Sequence, residues 1–302
     1  MSRSIEPPRV TEGAGYSDGH PLDDVQYLEC KIILKPDRFD CRDSLFEFGS
    51  LLAGPAERHG VGLSTRGFGR EPLKIREVCF FDTQDFRLYN NAFILRRRVP
   101  YVDGFAAGDP EIVFKFRHPD IQKAAAVDVR PRVAGDFRVK FKCEALPLKD
   151  AVGGVRMLFS HNVEFGFSQV RRADPTAVET IVRVLPALGS LKRSPGEKVA
   201  LVSQMIVEEV LQDIAVLDFG KGLQSVANVA LWRARGDHRP LVGEFAFQLR
   251  FKRRDELHRK AMKRCERFFV AVQRAARSRI ALGATKTGVV YRLQGNPPRS
   301  HE

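Results

Sequence analysis

The stretch that most constrains the fold is residues 81–98, FDTQDFRLYNNAFILRRR, because it ends in a strand pattern that carries charge on both faces. Side chains on a strand alternate between its faces, so Arg96 and Arg98 share one face while Arg97 lies on the other. Two arginines on one face are costly to bury unless an anion meets them. The stretch therefore predicts either a solvated edge or a cationic interior that receives an anion.

The same pattern of one apolar and one charged face recurs in further stretches that read as strands. They run at about 27–35, 111–117, 127–133, 138–144 and 242–252. Their charged faces carry Glu29, Lys31, Lys115, Arg117, Arg130, Arg132, Lys140, Lys142, Glu144 and Glu244. Pro131 makes the third of these stretches an edge or irregular strand, because proline cannot donate to a sheet.

Helical patterns between and after the strands bear on where the charged faces point. They occur at 43–59, 177–188, 198–211 and from 253 onward. The charged faces could lie outside in water or inside a closed barrel. Something apolar must cover the Phe-rich opposite faces, and amphipathic helices wrapped around a closed sheet with a polar lumen cover them all. The helices therefore favour the barrel.

Composition points to an anionic partner. The net charge of +13 and a pI near 9.8 favour phosphate compounds, nucleic acid or an acidic membrane. No apolar run is long enough to span a bilayer and residues 1–24 lack the apolar core of a signal peptide, so we predict a cytoplasmic protein without a membrane partner. Five cysteines without paired spacing predict buried reduced thiols.

The segment 81–98 resembles the signature of the CYTH superfamily, the triphosphate tunnel metalloenzymes. The family pattern Tyr-Asp-Thr-x-Asp-x-x-Leu followed by Leu-Arg-x-Arg reads here as the runs 81–88 and 95–98, with Phe81 in place of tyrosine. A second hallmark, Glu-x-Glu-x-Lys, matches 27–31 with Tyr27 in place of its first glutamate. The resemblance covers about residues 26–252 and is weak in the middle third.

The resemblance implies an α+β fold: an eight-stranded antiparallel β-barrel, open at both ends, with amphipathic helices on its outer surface. Composition and residue patterns, together with this resemblance, predict four parts of the chain: a flexible segment 1–24, a tunnel domain 25–252 with a helical insertion at about 145–211, a basic helical region 253–293 packed on the barrel, and a disordered tail 294–302.

The resemblance also implies residue roles. Glu29, Glu244 and Glu144 would hold Mg²⁺ or Mn²⁺, hard cations that prefer oxygen ligands, and Glu29, Lys31 and Glu244 would be catalytic. The phosphates would be bound by Lys31, Arg96, Arg98, Lys115, Arg117, Arg130, Arg132, Lys140 and Lys142. The reaction would be an in-line transfer of a phosphoryl group to water.

Two departures keep several functions open. Tyr27 and Ala246 stand where the family has glutamates, so the metal site has fewer carboxylates. The leading hypothesis is metal-dependent hydrolysis of tripolyphosphate, a nucleoside triphosphate or thiamine triphosphate. The alternative is a weakened or inactive tunnel that binds polyphosphate or nucleotides. A third hypothesis is weak nucleic-acid contact through the basic helix 253–279.

Overall fold

The computed structural model describes residues 4–69, 71–170 and 174–294. Its strands are β1 (Tyr27–Leu34), β2 (Gly62–Ser64), β3 (Lys74–Asp82), β4 (Phe93–Val102), β5 (Phe105–Ala106), β6 (Glu111–His118), β7 (Phe137–Leu146), β8 (Arg156–Gly166), β9 (Ala200–Asp218), β10 (Gln224–Ala234) and β11 (Pro240–Arg250). Its helices are α1 (Arg42–Ser50), α2 (Ala53–His59), α3 (Arg87–Asn90), α4 (Ile121–Ala125), α5 (Val178–Val184), α6 (Arg259–Ala275) and α7 (Lys286–Tyr291).

The strands close into a ring in the order β10-β11-β1-β7-β8-β6-β4-β3-β9, with β9 pairing back onto β10. The short strands β2 and β5 add to its edges. The closed barrel with outer helices that we predicted is confirmed. The predicted count and pairing need correction, because the ring has nine strands and β1 pairs with β7 in parallel. Pairing between strands this far apart in the chain leaves no local sequence signal.

The Phe-rich faces point outward and are covered by helices. Phe245 and Phe247 of β11 are fully buried, and Phe247 packs against Phe268 of α6 with ring centroids 5.9 Å apart. Cys265 and Val272 share the apolar stripe of α6 with Phe268. Burying such a side chain stabilises the fold by roughly 1.5–3 kcal/mol. This packing leaves the opposite, charged strand faces inside the barrel.

A tight turn between β3 and β4 sets which side chains of β4 face inward. The Asp82 carboxylate accepts hydrogen bonds from the backbone N–H groups of Leu88 and Tyr89, at 2.9 and 3.0 Å. The Thr83 hydroxyl accepts one from Arg87 N–H at 2.9 Å. These bonds hold α3 and therefore the start of β4, so that Arg96 enters the barrel and Arg97 stays outside.

The region 145–211, predicted as a helical insertion, contains two barrel strands. β8 was not predicted, and 198–211, predicted as a helix, belongs to β9. Apolar residues there recur at helical spacing, yet Val202, Val207 and Val210 are β-branched and β9 has a partner strand on each side. Tertiary pairing therefore overrides the local pattern. The helix predicted at 177–188 is confirmed by α5.

Two other predicted segments also differ. Residues 127–133 form no strand. Residues 4–24 have almost no regular structure but pack on the molecule: Ile5 is fully buried, and Asp18 and Glu6 lie 2.9 and 3.0 Å from arginines of other segments. The predicted tail 294–302 lies outside the described residues from 295 onward.

Four of the five cysteines are buried as predicted, whereas Cys41 is exposed; all five are free. No helix in the described ranges is both long enough and apolar enough to cross a membrane.

Candidate functional site

The barrel encloses a cavity of about 200 Å³ lined mostly by charged side chains. This volume is below the range of about 300–1,000 Å³ that is typical of sites for drug-sized ligands, which favours a compact ligand. Its cations are Lys31, Arg76, Arg96, Arg98, Lys115, Arg117, Lys142 and Lys286, and its carboxylates are Glu29, Glu144, Glu164, Glu209 and Glu244. Eight cations thus face five carboxylates.

On the part of the lining formed by β1, β6 and β7, the carboxylates Glu29 and Glu144 pair with cations of the same strands. Lys31 Nζ lies 2.8 Å from Glu29 and 3.3 Å from Glu144, and Lys115 Nζ also lies 3.3 Å from Glu144. Arg117 and Lys142 add contacts at 3.5 and 3.6 Å. Burial alone would raise the pKa of Glu29, but Lys142 and Lys31 lower that pKa to about 2. Both carboxylates are therefore charged and paired at neutral pH.

A second group of charges surrounds Glu164 of β8, which also lines the cavity and contacts three cations. Arg138 Nη2 and Lys140 Nζ each lie 2.6 Å from Glu164 Oε2, and Arg98 Nη1 lies 3.9 Å from Glu164 Oε1. Arg98 also contacts Glu111 at 3.0 Å. Burial opposes ionisation of Glu164, but Lys140 and Arg138 hold its pKa at about 2.

A third group joins β9 and β11 to the C-terminal helix. Lys286 Nζ of α7 lies 3.0 Å from Glu209 Oε1 and 2.7 Å from Glu244 Oε1. Arg76 of β3 pairs with the other oxygen of Glu209. Burial would raise the pKa of Glu209, yet Lys286 and Arg76 hold it well below its ordinary value.

Arg96 differs from every other cation of the cavity. Within the described part of the chain it makes no ion pair, and its solvent-shielded Nε has no hydrogen-bond partner. Its guanidinium carbon lies 6.0 Å from the ring centroid of Phe80. Burial, followed by the neighbouring charges of Arg98 and Arg76, lowers its pKa. The other seven lumen cations each contact a carboxylate, so Arg96 is the one left without a counter-charge among the residues described.

The structure brings most of the predicted site residues together. The cavity lining contains Glu29, Lys31, Arg96, Arg98, Lys115, Arg117, Lys142, Glu144 and Glu244. Lys140 is not part of the lining, but it pairs with Glu164, which is. Arg130 and Arg132 do not reach it: both line a separate surface pocket, and Arg130 is held by Asp128 at 2.5 Å. Without a strand at 127–133, nothing turns these two arginines inward.

Sequence reasoning missed Arg76, Glu164, Glu209 and Lys286 in this cavity. Arg76 lies just before residues 77–82, the part of β3 with a strand pattern in the sequence, and β8 was not recognised. Glu209 lay in a predicted helix, and residues 207–218 show no regular apolar–polar alternation that could have indicated a strand. Lys286 carries no sequence signal, because its helix enters the cavity from outside the barrel.

The acidic residues do not fit a Mg²⁺ or Mn²⁺ site as they stand. In the ranges that the structure describes, no three His, Cys, Asp or Glu side chains come together in a way that could hold a metal ion. Glu29, Glu144 and Glu244, the predicted ligands, each have a lysine ammonium within 3.3 Å. Their oxygens are thus already paired with lysine side chains of the protein.

Comparison with known proteins adds little to this geometry. No family model matches the sequence, and no curated protein matches it. Among solved structures, the chain aligns with an adenylyl cyclase-type protein of Hippeastrum described as having a dominant triphosphatase activity. That alignment has 13% identity, a TM-score of 0.43, and covers 92% of this chain and 100% of the other.

Two further alignments are similar in kind. An adenylate cyclase-type protein of Bacillus halodurans aligns at 9% identity and TM-score 0.33, covering 82% of this chain and 90% of the other. The PH1819 protein of Pyrococcus horikoshii aligns at 12% identity and TM-score 0.31, covering 82% and 89%. Identities and TM-scores this low establish neither an activity nor a substrate for this chain.

The fold is identified from the strand pairing and from the charged lumen. A closed barrel wrapped by helices, with arginines and lysines of successive strands directed inward, is the architecture that the resemblance at 81–98 implies. The chain therefore has the closed, helix-covered barrel with a charged lumen that the sequence predicted.

Proposed function

We propose that the lumen binds the phosphate chain of a tri- or polyphosphate compound. The observation that carries this proposal is Arg96, whose shielded Nε has no hydrogen-bond partner and which pairs with no carboxylate of the described residues, while Arg98 and Arg76 lie nearby. An unpaired buried cation is costly unless an anion compensates it. Guanidinium groups bind phosphoryl oxygens through paired hydrogen bonds, so a phosphate group beside Arg96 satisfies the site.

The number and spacing of the charges favour a chain of phosphates over a single anion. Three cations remain after the five lumen carboxylates are each matched with one of the eight lumen cations. Arg96 and Arg98 are two residues apart on β4, and Lys115 and Arg117 are two residues apart on β6, so the cations of each pair lie at different positions along the lumen. A linear polyanion can contact several of them at once, whereas a monoanion compensates only one charge.

Calorimetric titration with tripolyphosphate tests the proposal. We expect saturable binding at one site, and a rise in melting temperature at concentrations at which sulfate of the same ionic strength has little effect. Preferential binding to the native state at 100 times Kd stabilises a protein by about 2.7 kcal/mol. Equal effects of the two salts would reduce the result to general screening and contradict a specific site.

Hydrolysis of the bound chain, with Mg²⁺ or Mn²⁺ as cofactor, stays a prediction from the resemblance. Phosphate release from tripolyphosphate, ATP and thiamine triphosphate is measured with Mg²⁺, Mn²⁺ and EDTA on the same samples. Metal-dependent release that EDTA abolishes would make the protein a hydrolase. Tight binding without release would make the tunnel a binding site, which is the outcome that the paired carboxylates favour.

A further inference from the structure

Helix α7 presents Lys286 to two carboxylates that lie on either side of one strand. In the register of the barrel, Glu209 of β9 is opposite Trp232 of β10, and Glu244 of β11 is opposite Ala230. Trp232 Nε1 donates to Glu209 Oε1 at 2.7 Å, and Lys286 Nζ lies 4.7 Å from the Trp232 ring centroid. One ammonium is thus held by two carboxylate oxygens and an aromatic face.

The helix that carries Lys286 is firmly docked. Thr285 caps it by accepting a hydrogen bond from Gly288 N–H at 3.0 Å. Tyr291 is buried, stacks on Tyr89 with ring centroids 4.3 Å apart, and donates to Asp82 at 3.1 Å. The Ser203 hydroxyl donates to the Val290 carbonyl at 2.8 Å. These contacts place the ammonium at the acidic pair without requiring a ligand.

Two carboxylates that share one cation are also the protein part of many divalent-metal sites. Mg²⁺ is usually held by one or two carboxylates, with water and phosphate oxygens completing its shell. Glu209 and Glu244 have side chains that are 1% and 9% exposed, so neither can remain charged there without a cation. Arg76 contacts Glu209 but has no contact with Glu244.

We propose that Lys286 is a built-in cation that takes the position of a divalent metal ion between Glu209 and Glu244. Removing its amine then converts the acidic pair into a Mg²⁺ or Mn²⁺ site. The proposal accounts for the disagreement between the metal site that the resemblance implies and the lysine-paired carboxylates that the lumen contains. It rests on the acidic pair alone and not on phosphate binding, so each of the two proposals can fail without the other.

The test measures Mn²⁺ binding without phosphate, by electron paramagnetic resonance of the free ion and by calorimetry. Lys286→Met keeps an unbranched side chain that is one atom shorter and removes its charge. We expect this variant to bind one Mn²⁺ at least tenfold more tightly than the wild-type protein. The double variant Lys286→Met with Glu244→Gln returns to wild-type behaviour, and Lys286→Arg, which keeps the charge, matches the wild type.

Two results would overturn the proposal. One is a folded Lys286→Met protein, verified by circular dichroism, that binds Mn²⁺ no better than the wild type; Lys286→Gln serves as a second variant for the same comparison. The other is a wild-type protein that already binds one Mn²⁺ and loses it on Glu244→Gln. The latter measurement uses the intact protein and does not depend on the folding of any Lys286 variant.

Discussion

The lumen of the barrel and the outer face of α6 are both rich in lysine and arginine, but their charges stand in different surroundings. In the lumen, seven of eight cations contact a carboxylate. On α6, the exposed cations make no ion pair with any residue that the structure describes; they are Arg259, Lys260, Lys263, Arg264, Arg267 and Arg274. Water screens exposed charges, whereas buried charges need partners.

This difference shows that the net charge of the chain does not tell where an anion binds. Burial makes each lumen charge matter for stability or for binding, while the α6 charges are expected to matter little at physiological salt. The following changes test this contrast, from the largest expected effect to the smallest.

The largest effect is expected from Glu144→Gln, which removes the charge shared by Lys31, Lys115 and Arg117. Breaking a buried ion pair on one side costs about 3–5 kcal/mol. We expect a loss of that size in the free energy of unfolding, measured by urea denaturation. The matched control is Glu57→Gln, the same change on the exposed surface of α2, where the expected change is within about 0.5 kcal/mol. Equal losses in the two variants would contradict the contrast.

Comparing Arg96→Gln with Arg97→Gln tests which face of β4 binds the anion. Losing a desolvated charge contact costs about 2–5 kcal/mol of binding free energy, so tripolyphosphate affinity should fall strongly in calorimetry. Stability without ligand should not fall, because the change relieves repulsion from Arg98 and Arg76. Arg97→Gln is the control: Arg97 lies on the outer face, 3.5 Å from Glu77, and its loss should leave affinity nearly unchanged. Equal losses of affinity would refute the assigned strand faces.

Acid should lower the free energy of unfolding by protonating the lumen carboxylates. Lumen cations hold the pKa of Glu29 and of Glu164 at about 2 in the folded protein, against an ordinary value of 4.5. A depressed pKa stabilises the fold above pH 4.5, and this contribution is lost as the pH falls from 4.5 towards 2. Each group contributes on the order of 3 kcal/mol. Denaturation curves from pH 6 to 2.5 should show this decline, and Glu164→Gln should make it shallower; an unchanged slope would contradict the assignment.

The smallest effect is expected on α6. Slight burial and the nearby Arg267 and Arg58 lower the pKa of His59, so the surface charges do act on each other. At 0.15 M salt, however, interactions between exposed charges are largely screened beyond about 8 Å. The double variant Lys263→Gln with Arg267→Gln should therefore change tripolyphosphate affinity by less than about twofold. A tenfold loss would instead place anion binding on α6 and would favour the nucleic-acid hypothesis.

Sequence reasoning predicted the individual strand faces well. Arg96 and Arg98, Lys115 and Arg117, and Glu244 all face the lumen as their alternation indicated. The reason is local: side-chain direction on a strand follows from backbone geometry, and the Phe-rich opposite faces must be covered. The Asp-Thr turn before β4 is also local, because its hydrogen bonds join residues at most seven positions apart.

Tertiary structure decided what the strand faces could not. The parallel pairing of β1 with β7, the inclusion of β8 in the ring and the extended form of 198–211 depend on partners far away in the chain. Arg130 had the right spacing but no strand to turn it inward. Only the folded molecule shows that Lys286, 77 positions after Glu209, lies at hydrogen-bonding distance from it, and that Arg96 pairs with no carboxylate in the part of the chain that the structure describes. The sequence by itself determined which side chains of a recognised strand share a face, because alternation is local; the structure decided which stretches are strands of the barrel and which charges are paired, because both depend on contacts between distant segments.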